Sequence, residues 1–181
     1  DPFVVTDTSD FSKGNGSAKN PYQIKTIDEF RLMSAHNNCH FILMNDIDAE
    51  YEALQNLFTS DIPFNGTLDG NGKSIKNLMN TTALFNAIGA NGVIKNLKIT
   101  NATLVASKDN ALLTYSNKGL IEKCTISNAS MTGHNGGLFA VVNEGEIKNC
   151  KADGNISFSH DNWTSVWTGG VVCDNRQTGK I

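Results

Sequence analysis

The chain has 181 residues, 39% of them hydrophobic and 18% charged, with a formal net charge of −3. This size suits one domain or one elongated array, and the acidic balance lacks the basic stripe that a nucleic-acid-binding protein needs. No apolar run approaches the ~18 residues that cross a bilayer, so we expect no membrane span in this fragment.

In chain order, we divide the sequence into an N-terminal cap region, residues 1–70, and a repeat region, residues 71–181. The segment Thr26–Glu29 matches a capping box and is followed by apolar residues at helical spacing, which predicts a helix over about 27–36. A strand is predicted at 41–44. A short helix at the end of stacked strands would cover their apolar face and block edge-to-edge pairing.

A repeated segment fills the second region. Units that begin at Gly92, Gly119 and Gly145 each carry Ile two residues later and Leu or Cys five residues later. We place a looser copy at Gly72 and an incomplete one at Gly179, so the starts are 20, 27, 26 and 34 residues apart. Strands of fixed length joined by turns of variable length would produce such spacing, and many Asn and Gly residues suit those turns.

Equivalent positions of the units are expected to stack. Rungs about 4.8 Å apart can bury a continuous core that one rung cannot bury alone. The odd step from Ile94 to Leu97 breaks strict alternation and predicts a bend that points both inward. The predicted columns are Ile75, Ile94, Ile121, Ile147 and Ile181, and Leu78, Leu97, Cys124 and Cys150. The fold class is therefore all-β, a right-handed parallel β-helix or solenoid, since units of this length are too short for β-propeller blades of about 40 residues.

The run 137–156 resembles a GLUG-type repeat, in which Gly-Gly-Leu-Val-Gly is followed by Asn-x-Gly-x-Ile-x-Asn-Cys. Three earlier segments resemble the lead-in of the same proteins: 20–30, 45–48 and 64–78. The resemblance implies a right-handed β-helix within large bacterial surface or secreted proteins, including adhesin-like proteins and the leading regions of surface peptidases. The glycine element is degenerate in the earlier units, so the resemblance bears on fold more than on function.

An insertion near 158–168 in the last complete unit contains both tryptophans of the chain. Trp rings stack on sugars and on partner side chains, so the insertion could project and bind a glycan or a protein. Alternatively, it folds back and buries its own rings. The predicted ligand-binding residues are His160, Asp161, Trp163 and Trp167.

Two further groups of residues share the repeat spacing. His134 and His160 are 26 residues apart, as are Cys124 and Cys150. Acidic residues near the two histidines could assist acid–base or metal chemistry. Because the potential ligands are dispersed, the favoured interpretation is that the equal spacing is coincidental and that the histidines lie in polar turns. For the cysteines, a reduced pair in the core is favoured over a disulfide, because parallel side chains would strain the bridge.

These observations predict a non-catalytic solenoid module of a larger secreted or bacterial cell-surface protein, acting as a spacer or in adhesion to a host glycan or surface protein. The chain begins at Asp1, so we expect a piece of a longer polypeptide. We predict no catalytic residue, cofactor or metal. The alternatives are a leader region of a surface peptidase or toxin, and a polysaccharide lyase or hydrolase with carboxylates such as Asp109, Asp161 and Asp174.

Overall fold

Short strands alternate with Asn- and Gly-rich bends throughout the computed structural model, which describes residues 11–158 and 169–181. Within these residues, the regular structure is β apart from one helix, α1 (Ile27–Leu32), and the 3₁₀ turn Met33–Ala35 that follows it. The strands are β1 (Tyr22–Ile24), β2 (His40–Leu43), β3 (Ile47–Asp48), β4 (Thr67–Asp69), β5 (Ser74–Lys76), β6 (Met79–Asn80), β7 (Phe85–Ile88), β8 (Val93–Lys95), β9 (Lys98–Thr100), β10 (Thr103–Val105), β11 (Asn110–Ala111), β12 (Thr114–Asn117), β13 (Leu120–Glu122), β14 (Thr125–Gly133), β15 (Gly136–Gly137), β16 (Ala140–Asn143), β17 (Glu146–Lys148), β18 (Lys151–Phe158) and β19 (Val172–Asn175).

The strands form three main parallel sheets around a single apolar core. The first sheet has the order β1-β2-β4-β8-β13-β17, and the third sheet has the order β7-β12-β16-β19. The second sheet has the order β3-β5-β9-β14-β10-β6, and β18 also pairs with β14. The chain therefore coils through the sheets as a β-solenoid of about five turns, which confirms the predicted fold class. Its right-handed sense stays an expectation from the rule for parallel crossovers.

The middle of the first predicted column, Ile94, Ile121 and Ile147, is confirmed. Its predicted last member, Ile181, follows Lys180, which bridges to Glu146, but Ile181 is 67% exposed and so is not part of the buried core. Ile121 pairs in parallel register with Ile94 on one side and with Ile147 on the other. Their exposed fractions are 0% for Ile94 and Ile121 and 2% for Ile147. Each buried aliphatic side chain contributes roughly 1.5–3 kcal/mol to folding, so this column fixes the register of the first sheet.

The earliest copy of the repeat lies at Gly66 and not at Gly72, so the prediction for that unit was wrong. Leu68, two residues after Gly66, pairs with Ile94 in the first sheet. Ile75 belongs to the second sheet, where it pairs with Ile47 and Ile99. With this correction, units starting at 66, 92, 119 and 145 are 26, 27 and 26 residues apart.

Leu78 likewise lies outside its predicted column. It directly precedes Met79, which pairs with Thr103, so Leu78 stacks on Ala102 and not on Leu97. The remaining members do stack: Leu97, Cys124 and Cys150 each directly precede the paired strands β9, β14 and β18. The structure gives both cysteines as free thiols.

A single left-handed residue produces the predicted bend between the first and second sheets. Asn96, Lys123 and Asn149 have φ of 54°, 53° and 55°, and each lies between the two inward-pointing apolar positions of its turn. Asn adopts this conformation more readily than other non-glycine residues. One such residue therefore turns the chain without a loop.

Helix α1 begins with the predicted capping box. The Glu29 N–H donates to Thr26 Oγ1 at 3.1 Å, and the Glu29 carboxylate accepts from the Thr26 N–H at 3.3 Å. The helix and the 3₁₀ turn after it join β1 to β2, and they bury Phe30 and Met33, respectively, completely in the core. The first sheet runs across residue 70 through the β4–β8 pair, and the two-part division of the chain stays a prediction.

Two columns of asparagine side chains run along the coil. In the inner column, Asn117 donates to Asn143, which donates to Asn175, each at 2.8 Å. The outer column runs through Asn128, Asn101, Asn77 and Asp48, each donating to the next. These bonds tie successive turns together through side chains as well as backbone.

A column of glycines allows the turns to approach closely at the start of the first-sheet strands. A Cβ added at Gly119 would lie 2.1 Å from the carbonyl oxygen of Gly92, and one added at Gly145 would lie 2.2 Å from that of Gly119. Heavy atoms cannot approach to such distances. Any larger residue would therefore push neighbouring turns apart.

Candidate functional site

The outer face of the third sheet carries an exposed aromatic ring. In β12 the flanking Thr114 is fully buried, whereas Tyr115 points outward with 40% of its surface exposed. The register of the sheet places Asn86 of β7 on one side of Tyr115, and Val141 of β16 and Cys173 of β19 on the other. The tyrosine therefore stands in the middle of a column that crosses four strands.

Three depressions border Tyr115, and together we call them the Tyr115 groove. The largest encloses about 550 Å³ and the other two about 240 and 300 Å³. The largest is lined in part by Asn65, Asn86, Ser116, Lys118, Glu144 and Arg176. The smaller two add Thr82, Lys108, Asp109, Asn135, Cys173 and Asp174. Amides, hydroxyls and paired charges thus surround one aromatic ring.

One wall of the groove is anchored in the core. Ser60, Pro63 and Asn65 line the groove from the segment that joins β3 to β4. In the same segment, the Phe58 ring is buried and stacks on Phe85 of β7, with centroids 5.9 Å apart and planes 4° apart. Phe58 has a φ of 63°, which is rare for a bulky residue and persists only where packing enforces it. The wall is therefore held by packing.

Ion pairs occupy the opposite end of the groove. Glu144 binds Arg176 Nη1 at 2.9 Å and Lys118 Nζ at 3.5 Å, and Arg176 Nε binds Asp174 at 3.0 Å. The hydrogen bond from Arg176 lowers the pKa of Glu144. Glu144 is therefore ionised at neutral pH, and it compensates the charges of the two cations beside it.

Asp109 and Cys173 meet in one of the smaller depressions. Asn135 donates to Asp109 Oδ1 at 2.8 Å. Burial raises the pKa of the Cys173 thiol, and the carboxylates of Asp109 and Asp174 raise it further. Since the thiolate is the nucleophilic form, Cys173 is suited to lining the groove and not to covalent chemistry at neutral pH.

The four predicted ligand-binding residues, His160, Asp161, Trp163 and Trp167, lie outside the described residues, and their role stays a prediction. After the insertion the chain returns at Gly169, whose N–H donates to the Gly136 carbonyl of β15 at 3.1 Å. It then enters β19, which supplies Cys173 and Asp174 to the Tyr115 groove.

Of the other candidates, Asp109 directly precedes β11, and Asp174 lies on β19; both line the same depression beside Tyr115. His134 lies between β14 and β15. Within 11–158 and 169–181, no three His, Cys, Asp or Glu side chains are arranged to hold a metal ion. In the same ranges, no helix has the length and apolar character of a membrane span.

Neither Tyr115 nor Asn86 was among the predicted site residues. Tyr115 follows the buried Thr114 in a short strand, and alternation along that strand would have indicated an outward aromatic ring. The asparagine beside it is brought there by register alone, because it lies one full turn earlier in the chain. Its position could be found only after the turns had been aligned.

Among known proteins, two relatives and one solved structure share similarity with the chain. Halomucin of Haloquadratum walsbyi is 33% identical over 93% of this chain, and a provisionally named Gly-rich membrane protein of Evansella cellulosilytica is 30% identical over 66%. The chain spans only 2% and 16% of their lengths. No family profile matches the chain.

The solved structure is a crystal structure of a provisionally named immunoglobulin A1 protease from Bacteroides ovatus. It superposes with a TM-score of 0.72 over 94% of this chain and 57% of that one, at 23% identity. At this identity the likeness establishes the shared solenoid fold and nothing of the activity. The chain is therefore a β-solenoid that resembles parts of much longer proteins.

Proposed function

We propose that this chain is a non-catalytic recognition module of a larger secreted or cell-surface protein, of the GLUG-repeat type, and that the Tyr115 groove binds a glycan. The observation that carries the proposal is an exposed tyrosine on a rigid parallel sheet, bordered by three depressions lined with amides and hydroxyls.

The chemistry of the groove suits a sugar. The C–H face of a pyranose packs against an aromatic ring, while its hydroxyls require both donors and acceptors within reach. Tyr115 offers the ring, and Asn86 and Asn65 offer amides that can donate and accept. A scaffold fixed by stacked turns limits the ordering entropy that binding would otherwise cost.

The likeness to halomucin, of which the chain spans only 2%, supports a place within a large extracellular polypeptide. The stacked core supports the same role mechanically, because a solenoid is extended and can hold a binding face away from its neighbours. A host glycan or surface protein is the expected partner class.

The test is binding of the chain to an array of glycans, followed by calorimetry on the best ligand. Tyr115→Ala should weaken binding about tenfold or more, since a stacked aromatic anchor contributes on the order of 2 kcal/mol. Tyr51→Ala, which removes a 65% exposed tyrosine that does not line the groove, is the matched control. Equal binding by both variants would reject the groove as the site.

The insertion needs its own variant. The double change Trp163→Ala and Trp167→Ala should weaken binding if the insertion contributes to the same ligand site. Unchanged binding would confine recognition to the Tyr115 groove. A chain that binds no glycan and no surface protein would be a spacer.

A second candidate, a polysaccharide lyase or hydrolase, is favoured by one observation: Asp109 and Asp174 line the same depression beside Tyr115. Such enzymes gather carboxylates in one groove over neighbouring rungs. Turnover of pectin, alginate or glycosaminoglycan that is lost in Asp109→Asn would establish this activity. Uniform inactivity on these polymers would remove it.

A further inference from the structure

We infer, on the basis of the proposed glycan-binding role, that the Tyr115 groove selects neutral, hydroxyl-rich sugars over uronate or sulfated ones, and that Glu144 determines this specificity. Two cations of the groove, Arg176 and Lys118, are already paired with Glu144.

The guanidinium of Arg176 already binds two protein carboxylates. Its Nη1 binds Glu144 at 2.9 Å and its Nε binds Asp174 at 3.0 Å. An arginine recognises a free carboxylate most strongly by presenting two parallel N–H groups to it. Here Nη1 and Nε already face protein carboxylates, so an incoming anion would find fewer open N–H groups and would be repelled by the two carboxylates.

Lys118, the other cation of the largest depression, pairs with the same carboxylate. Lys118 Nζ is 3.5 Å from Glu144, which therefore lies between the two cations of the largest depression. The Glu144 side chain is 25% exposed, so it would lie next to a ligand in the groove. One carboxylate thus occupies the position that an acidic sugar would need.

Positive and negative side chains line the groove in equal numbers. The three depressions are lined by three cations and three carboxylates: Lys108, Lys118, Arg176, Asp109, Glu144 and Asp174. Their formal charges cancel, so the groove carries no net charge to attract an anion. The other polar groups at its centre are amides and hydroxyls, which bind neutral hydroxyl groups well.

Glu144→Gln provides a gain-of-function test. The amide is nearly isosteric with the carboxylate but carries no charge, so the change leaves Arg176 and Lys118 partly uncompensated. Glu122→Gln is the matched control, because Glu122 pairs with Lys148 at 3.7 Å on the first sheet, outside the groove.

The experiment measures affinity of the folded chain for neutral oligosaccharides of mannose, glucose and galactose and for oligomers of galacturonate and mannuronate. The unaltered chain should bind the best neutral ligand about tenfold more tightly than any uronate. Glu144→Gln should raise uronate affinity about tenfold, with the gain falling as salt is added, whereas Glu122→Gln should leave the ratio unchanged.

Each outcome is decisive. Tyr115-dependent binding in which uronates equal or exceed neutral sugars would overturn the inferred specificity and leave the glycan-binding role intact. An unchanged ratio in Glu144→Gln would remove Glu144 as its determinant. Failure to bind either class would overturn the proposed function and this inference together.

Discussion

The side-chain amide of Asn117 donates to the side-chain oxygen of Asn143 at 2.8 Å, and both residues are completely buried one turn apart. Asn143 also donates to Asn175. A buried amide that loses its partner bears the full desolvation penalty. The inner asparagine column is therefore a point at which the solenoid is sensitive to single changes.

Asn143→Ala should lower the free energy of unfolding by about 1–3 kcal/mol, because it removes the nearer of the two acceptors of the buried Asn117 amide; the other, the Gly119 carbonyl oxygen, is 3.4 Å away. Urea unfolding followed by circular dichroism measures the change. Asn155→Ala, on the exposed side of β18, is the control and should change stability by less than about 0.5 kcal/mol. Equal effects would show that the buried amides are not special.

Ile121→Ala should lower the free energy of unfolding by about 2–5 kcal/mol, since it opens a cavity between Ile94 and Ile147 in the central column. Leu120→Ala removes a comparable side chain from the adjacent position, which is only half-buried, and should cost clearly less. The ratio of the two effects is measured in the same urea titration. A larger loss for Leu120→Ala would contradict the observed orientation of β13.

Gly119→Ala should destabilise the coil more than its single added methyl group would suggest. The new Cβ would lie 2.1 Å from the Gly92 carbonyl oxygen, so neighbouring turns must separate and their backbone hydrogen bonds lengthen. The measurement is the midpoint of thermal unfolding. Gly170→Ala is the control, because nothing lies within 4 Å of its added Cβ; a similar shift in both variants would disprove a close-packed glycine column.

The ion pair of Glu144 predicts a pH dependence. Its pKa is lowered below the ordinary value of 4.5, chiefly by the hydrogen bond from Arg176. Because the folded pKa lies below the unfolded one, the pair stabilises the fold fully above the unfolded pKa, and the contribution is lost as pH falls through the folded pKa.

The check is the difference in urea midpoint between the unaltered chain and Glu144→Gln at about pH 7 and about pH 3. The unaltered chain should be the more stable one at the higher pH, and the difference should shrink in acid. The pair is partly exposed, so the effect is small and should also decrease with added salt. A difference that grows in acid would contradict the assigned direction.

The sequence predicted the coiled core correctly where one unit repeats the next closely. The bend between Ile94 and Leu97 was visible because an odd spacing of two apolar residues needs a local break in the strand. The capping box at Thr26 was visible because its signal is confined to four consecutive residues. Both features depend on a few consecutive residues, so they can be predicted without knowing how the turns stack.

The misplaced unit at Gly72 has a physical cause. The pattern apolar–Lys–Asn–apolar occurs at Ile75–Leu78 and at Ile94–Leu97, and in each case the Asn adopts a left-handed conformation, with φ of 58° at Asn77 and 54° at Asn96. The first bend lies within the second sheet and the second bend between the first and second sheets. The same four-residue pattern forms both bends, so the pattern alone does not tell which bend a given copy forms.

The candidate site depended on longer-range information. The Tyr115 groove combines residues from a segment near 60 with residues near 86, 115, 144 and 176, which meet only through the stacking of turns. The sequence instead indicated a ligand site in the insertion, because both tryptophans of the chain lie there. The general expectation of a ligand site in the last complete unit stays a prediction.

The outer asparagine column also has a direction. Asp48 can only accept, so Asn77 must present its nitrogen to it, and this choice sets the orientation of Asn101 and then of Asn128. The orientation of every amide in the column therefore follows from the one carboxylate at its end. A turn copied into the coil beyond Asp48 could therefore carry Asn at this position, whereas a second Asp would place its carboxylate against the side-chain oxygen of the preceding Asn, where neither group can donate.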